Sequence, residues 1–362
     1  MKKIIITIIF LTIFRSFIPS FNKNFKIVKI IGDDQDGCIF STISDAILTP
    51  SKDIFILDGK ESFIAKYDWE GNFINRVGQK GQGPGDFYWP TSINIFNGKV
   101  YFLDRFNNRF VEADLELKNF NYFKFPPEIR IPSIFTVIDK NKFVIDYNSF
   151  NKPDNDKICI IEKKAKINTR IKRLFFNHTP IDIQSISKDN RTLSRLRFLF
   201  EIFYALDDKS KKLLITFKNP DNPIVFFLYS INGELLKRFS YKMDKKYHFT
   251  HTLYKEKKLS ISSLKGQYAV DVDSVFYYDK HWYIFVAQYH YKTGNYEFKL
   301  SNHKNYVETK SFYLKFDENG KLIGKFITDP YFRCFYISKD GYALGKHPNL
   351  ELEQLMIYKI LK

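Results

Sequence analysis

Cysteine is scarce: Cys38, Cys159 and Cys334 are the only three in 362 residues, they lie far apart, and no CxxC or Cys/His spacing occurs. That excludes a zinc knuckle and a dense disulfide framework. The reading is buried free thiols, with a Cys38–Cys334 pairing open only if the chain closes into a ring. Glycine (16) and proline (13) are also few, against 38 Phe, 23 Tyr and 3 Trp. Disorder, collagen and a coiled coil are thereby excluded, because an aromatic content of 18% has to be buried or stacked to stay soluble. No apolar run reaches the roughly 20 residues that a membrane-spanning helix needs. Acidic residues are outnumbered 40 to 57, for a net charge of +17. Such a balance suits anionic partners through counterion release. A chain rich in Lys, Ile, Asn, Phe and Tyr together is also what AT-rich codon usage produces, so charge alone names no partner.

The chain opens Met1-Lys2-Lys3, then an apolar stretch from Ile4 to Phe14, then Arg15. This is the form of a secretory signal peptide. The following RSFIPSF lacks a small-x-small cleavage pattern, so residues 1–20 are read as a signal peptide or an N-terminal anchor. An exported protein is expected, periplasmic or extracellular, which argues against a nucleic-acid role.

Internal repetition fixes the architecture. Ile54 to Asp68, IFILDGKESFIAKYD, superposes on Val100 to Asp114, VYFLDRFNNRFVEAD, at a shift of 46, aligning Leu57 with Leu103, Asp58 with Asp104, Ile64 with Phe110 and Asp68 with Asp114. Each copy is a short apolar strand ending in Asp, a polar loop and a second strand ending in Asp. A period near 40–50 with several strands per unit is the signature of a propeller blade. In the clearest unit the strands are Ser92 to Phe96, Lys99 to Leu103, Arg109 to Asp114 and Asn119 to Phe125, with Asn97-Gly98 as a hairpin turn. Degraded copies run from Asp45 to Val77, Ser133 to Phe175, Phe198 to Phe239 and Val272 to Thr328. Phe332 to Leu361 holds only three strands, while Phe25 to Ile31 is a strand before the first blade. Pairing these two removes two exposed edges. The fold class is therefore all-β: a six-bladed β-propeller over residues 25–362, closed by an N-terminal strand that completes the last blade.

Gly78 to Pro90 reads GQKGQGPGDFYWP, and Val100 to Asp114 follows with its Asp and Asn-Asn-Arg. This stretch resembles the NHL-repeat β-propellers, and most of all the exported bacterial six-bladed proteins that carry one strong NHL-like copy. The resemblance implies a propeller and an exported protein, and it implies no established reaction. Its residues read mainly as structural. Gly81, Gly83 and Gly85 supply backbone conformations closed to other residues where one blade crosses to the next. Phe87 plugs between blades, Pro90 fixes φ where the inner strand begins, and Asp104 and Arg109 bridge their loop.

Strand parity places the loop between second and third strands on the same end as the crossover between blades. Tyr88 and Trp89 therefore share a face with Arg105, Phe106 and Asn107. The insertions Phe176 to Arg197, Ser240 to Gly266 and Tyr289 to Lys310 belong to that face too, and residues 241–267 hold seven lysines against Asp244 and Glu256. Loop-rich rims of rigid scaffolds are where binding resides.

No catalytic or metal-ligating residue is assigned. His248 and His251, in HFTH, lack the Glu and helical spacing of a zinc protease; no GxSxG occurs; and the glycines at 78–85 lack the Gly-Lys-Ser/Thr ending of a phosphate loop. Asp33, Asp34 and Asp36 miss the alternation of a calcium loop. The sequence thus points to a non-catalytic, monomeric, exported propeller without a cofactor, binding a protein, glycan or small anionic ligand at its loop-rich face. Membrane contact would come only through an uncleaved N-terminus or the basic surface. The alternative is a metal-dependent lyase or lactonase with a divalent cation at the mouth of the central channel. The resemblance offers it, since related propellers hold a metal there.

Overall fold

The computed structural model describes residues 25–32, 38–129, 131–146, 158–164, 168–175, 202–217, 223–243, 268–291, 306–328, 333–346 and 353–361. The described residues form 24 strands and no helix. The leading strand is β1 (Phe25–Ile31). Blade 1 is β2 (Ile43–Leu48), β3 (Ile54–Asp58), β4 (Phe63–Tyr67) and β5 (Phe73–Val77). Blade 2 is β6 (Pro90–Phe96), β7 (Lys99–Asp104), β8 (Arg109–Asp114) and β9 (Phe120–Lys124). Blade 3 is β10 (Phe135–Val137), β11 (Lys142–Asp146), β12 (Ile158–Lys164) and β13 (Asn168–Phe175). Blade 4 is β14 (Ile202–Asp207), β15 (Lys212–Phe217), β16 (Ile224–Ser230) and β17 (Leu235–Tyr241). Blade 5 is β18 (Tyr268–Tyr278), β19 (His281–Tyr291), β20 (Tyr306–Asp317) and β21 (Leu322–Thr328). Blade 6 is β22 (Arg333–Ile337), β23 (Tyr342–Lys346) and β24 (Leu355–Ile360), with β1 antiparallel to β24 in the outer position.

Each blade is an antiparallel meander, and a single parallel bridge, Asn168 opposite Lys124, joins the outer edges of blades 2 and 3. Inner strands meet in ring order: β2 touches β6, β6 touches β10, β14 touches β18, β18 touches β22, and β22 returns to β2. The protein is an all-β, six-bladed β-propeller. Strands differ from the sequence reading mainly by being longer, except that β9 is one residue shorter at each end. In particular β19 and β20 extend into the proposed insertion 289–310, because Tyr, Val and Phe alternate well beyond the turns that bounded it.

The aromatic content is spent in the seams. Among the described residues six apolar cores are present, and each joins one blade to the next, from Ile47, Phe55 and Phe102 between blades 1 and 2 to Ile31, Leu355 and Ile54 between blades 6 and 1. Two flat sheets packed face to face need large side chains to fill the gap, which Phe and Tyr do. Cys38, Cys159 and Cys334 are buried free thiols in these cores.

In blades 1, 2 and 3 a buried aspartate ties the entering segment to the second strand. Asp58 accepts N–H bonds from Ser41 (2.6 Å) and Thr42 (3.1 Å), Asp104 from Tyr88 (2.7 Å), and Asp146 from Ser133 (2.6 Å) and Ile134 (2.7 Å). Inner strands are bulged at Ser44 and Ser92, whose hydroxyls donate to the next blade's Pro90 and Phe135 carbonyls at 2.6 and 3.1 Å.

Asp45, beside the first bulge, accepts the N–H groups of Ile93 and Ala46, each at 2.8 Å. Burial pushes its carboxyl up from 3.8 to about 7, against those two bonds and the field of Arg333. Between the two values the folded chain holds a proton that the open chain has lost. Its contribution to stability therefore falls as pH rises from about 4 to about 7 and is level above that. Asp45→Asn should flatten this part of the profile, so the variant's Tm gains on the wild type between pH 5 and pH 8. Parallel Tm–pH curves would show that Asp45 is not the titrating group.

Candidate functional site

The loop end of blade 2 departs from that of blade 1 in one respect. In blade 1 Ser41 and Thr42 precede Ile43, which pairs with Asp58, and in blade 2 Tyr88 and Trp89 precede Pro90, which pairs with Asp104. Trp89 thus takes the place of Thr42, and of the two only Trp89 has positive φ, at 58°. A left-handed conformation is costly for a bulky side chain, and such strain collects at functional positions. The Trp89 N–H donates to Ser62 Oγ at 3.2 Å. Its indole lies against blade 1 at Gly59, where a Cβ would stand 3.2 Å from Nε1, so this glycine makes the room.

Three rings gather at this seam. Phe106 is 5.0 Å from Tyr88 and 6.2 Å from Trp89 between centroids, tilted by 56° and 68°, and it is 45% exposed. The Phe106 N–H closes the cluster on the Tyr88 carbonyl at 3.1 Å. Two cations flank the rings: Lys80 Nζ at 4.9 Å from the Tyr88 centroid and the Arg105 guanidinium at 5.8 Å from that of Phe106. Among the described residues neither cation forms an ion pair, whereas Lys66, Lys99, Arg109, Lys163 and Lys346 all do. Arg105 Nη2 donates to Ser133 Oγ at 3.0 Å.

Four of the five residues named from sequence for the loop face, Tyr88, Trp89, Arg105 and Phe106, therefore meet. The fifth, Asn107, has its amide committed to the Gly81 carbonyl and to Asp104 Oδ2, both at 2.8 Å, and staples the glycine loop in place. Arg109 does the same from the other side, donating from Nε to Asp104 Oδ2 at 2.7 Å and from Nη2 to the Asp86 carbonyl at 2.9 Å. Asp104 is fully buried, and burial raises its carboxyl pKa against the bonds from Asn107, Tyr88 and Arg109. Phe87 is fully buried beside Phe102 and Phe120. Pro90 opens β6.

One structural reading needs correcting. Of the three loop glycines only Gly85 has positive φ (82°); at Gly81 a Cβ would collide with the Asp86 side chain down to its Cβ (2.5 to 2.9 Å), whereas at Gly83 it would press only on Asp86 Oδ2 at 3.0 Å. Sequence reasoning missed Lys80 and Gly59. The 46-residue shift that aligns Asp58 with Asp104 also aligns Gly59 with Arg105, which was the available signal.

Residues 1–20, Asp33, Asp34, Asp36, His248, His251 and most of the three insertions lie outside the described residues. Among the described residues no group of three or more His, Cys, Asp or Glu is placed to hold a metal ion, and no helix is long and apolar enough to cross a membrane. A cavity of about 480 Å³ on the opposite, hairpin end is lined by Phe96, Asn97, Lys140 and Glu162 together with the paired Asp139 and Lys142.

A ring of six such blades defines a class, and comparison with known proteins gives the family. The chain belongs to the DUF5128 family of six-bladed β-propellers, whose family model matches residues 21–305. Among solved structures it is similar to a DUF4221 family member from Bacteroides vulgatus, with TM-score 0.58, 11% identity, and 94% of this chain and 99% of that one covered. It is similar also to a presumed exported protein from Bacteroides fragilis, with TM-score 0.55, 11% identity, and coverage of 93% and 96%. A virginiamycin B lyase from Staphylococcus aureus aligns at TM-score 0.48 and 10% identity over 93% of this chain and all of that one. No curated protein matches the chain in sequence.

Proposed function

We propose that this propeller is an exported, monomeric, non-catalytic binding module of NHL-like ancestry that takes its ligand on the loop face, at the seam between blades 1 and 2. The observation that carries the reading is the strained Trp89. Blade 1 enters its inner strand through Thr42, which has no positive φ, so the fold does not require a left-handed residue there. What Trp89 adds is an aromatic corner with two unpaired cations beside it. Rings at an exposed corner bury the apolar face of a ligand, and the cations select for negative charge.

The test separates binding from folding. Glycine accepts φ 58° without strain, so Trp89→Gly should keep the wild-type Tm within about 3 °C. The same variant should lose at least tenfold in affinity for whatever a glycan and metabolite array retains on the wild type. A collapse of Tm would show instead that Trp89 is core, and unchanged retention would place binding elsewhere.

A further inference from the structure

A second surface lies on the outer rim of the ring, and it stands independently of the loop-face reading. Of the twelve large apolar residues exposed among those described, nine lie on the outer strands of four consecutive blades, β17, β21, β1 and β5. Each of these strands is bulged, and in each the extra residue is an exposed aliphatic: Leu236, Ile323, Val28 and Ile74. A bulge re-aims a side chain and breaks an open edge, and neither effect needs an apolar residue. In blade 3 the extra residue of β13 is Lys172, and in blade 2 β9 pairs without a bulge. The aliphatics on the other side of the ring therefore have a cause outside the fold.

The patch is densest where blades 5 and 6 adjoin. β21 exposes Leu322, Ile323 (52%) and Ile327 (58%), and β1 exposes Val28 and Ile30. The two strands carry Lys26, Lys29 and Lys325 and no Asp or Glu. Lys26 and Lys325 are exposed, and among the described residues neither is in an ion pair. This mixture disfavours a second copy of the chain, because pairing through these edges would set lysine against lysine across bulged strands. It suits a lipid surface, where aliphatics enter singly from a convex rim and lysines meet the phosphates. The chain itself leads there. β1 begins at Phe25, and only Arg15 to Asn24 separate it from the apolar run Ile4 to Phe14, a span of at most about 35 Å.

We propose that the rim of blades 5 and 6 rests on an anionic phospholipid bilayer, with Val28, Ile30, Ile323 and Ile327 at the acyl boundary and Lys26 and Lys325 at the phosphates. Full-length protein and a chain begun at residue 21 should each be floated with vesicles of phosphatidylcholine alone and of an equimolar phosphatidylglycerol–phosphatidylcholine mixture. Both chains should bind the mixed vesicles about tenfold tighter than the neutral ones. Val28→Thr/Ile323→Thr/Ile327→Thr should weaken that binding about tenfold while Tm stays within about 3 °C of wild type. Lys26→Gln and Lys325→Gln should each weaken it about fivefold, and Leu235→Thr/Leu236→Thr on blade 4 should leave it unchanged. A blade 4 pair as damaging as the triple variant would show general stickiness and overturn the assignment to blades 5 and 6. Loss of binding in the chain begun at residue 21 would show that the leading segment alone holds the bilayer. Polyglutamate that binds as tightly as the mixed vesicles, and binds the triple variant equally, would make the partner an acidic polypeptide instead. If the triple variant does not fold, the lysine variants decide, and undiminished binding in both overturns the proposal.

Discussion

A chain begun at residue 32 should melt at least 10 °C below one begun at residue 21, or fail to accumulate as soluble protein. The difference includes β1, whose side chains Phe25 and Ile31 are 6% and 1% exposed. Phe25 packs edge-on against Tyr313 (5.7 Å) and Tyr358 (6.3 Å) in the core between blades 5 and 6, and Ile31 enters the core between blades 6 and 1. One short strand thus seals two seams. Burial of two such side chains contributes about 3–6 kcal/mol. That is a large part of the roughly 5–15 kcal/mol by which folded domains are stable. Removing β1 also leaves β24 as an unpaired edge open to association with other chains. Phe25→Ala tests the packing term alone, with an expected loss of about 3–5 kcal/mol in a chain that still folds. A truncated chain that melts within two degrees of the longer one would show that β1 is an appendage to a ring closed without it.

The second large effect is expected at Asp104. Its carboxylate, wholly buried, holds the Tyr88 N–H, the Asn107 amide and the Arg109 guanidinium together. Asp104→Ala strands a guanidinium that cannot give up its proton, and breaking a buried pair in this way costs about 3–5 kcal/mol. It should also release Tyr88, and with it the Phe106 contact, so that ligand binding is lost along with stability. Asp104→Asn keeps an acceptor for the Tyr88 N–H and should fall between the two. Arg109→Met behaves differently because the group left behind is titratable. Burial already raises the Asp104 carboxyl, and removing the cation raises it further. The variant should therefore recover stability relative to wild type as pH falls, when the carboxyl takes up a proton. Thermal melts of the three variants and of the double variant Asp104→Ala/Arg109→Met check the scheme. A double variant as unstable as the sum of its parts would show that the two side chains do not act as a pair.

Much of this was legible before any coordinates, for identifiable reasons. The Asn97-Gly98 turn demands positive φ at both positions and has it, at 48° and 68°, so blade 2 could be laid out to within two residues at each strand end. The Asp58 and Asp104 repeat marked the second strands, and a third copy at Asp146, in FVID, follows the same rule and was overlooked. Parity then brought Tyr88, Trp89 and Phe106 together without any contact information. What stayed hidden depends on pairs far apart in the chain. Gly59 matters only because Trp89 from the next blade lies against it, and no local pattern shows that. Lys163 of β12 reaches across a seam to the rings of Tyr101, Phe110 and Phe123 and pairs with the buried Glu112, and no local pattern shows that either.

The closing seam also has a consequence in time. β1 is made before every other strand described, yet Phe25 lies opposite Ile360, almost the whole chain away. Contacts of such long sequence separation form slowly, and the entropy of bringing the ends together has to be met before they give anything back. The ring is expected to snap shut as a late folding event, with β1 idle until then. Lys26 and Lys29, interleaved with its apolar residues, are the kind of charge that keeps a waiting edge from recruiting a neighbour's strand in the interval.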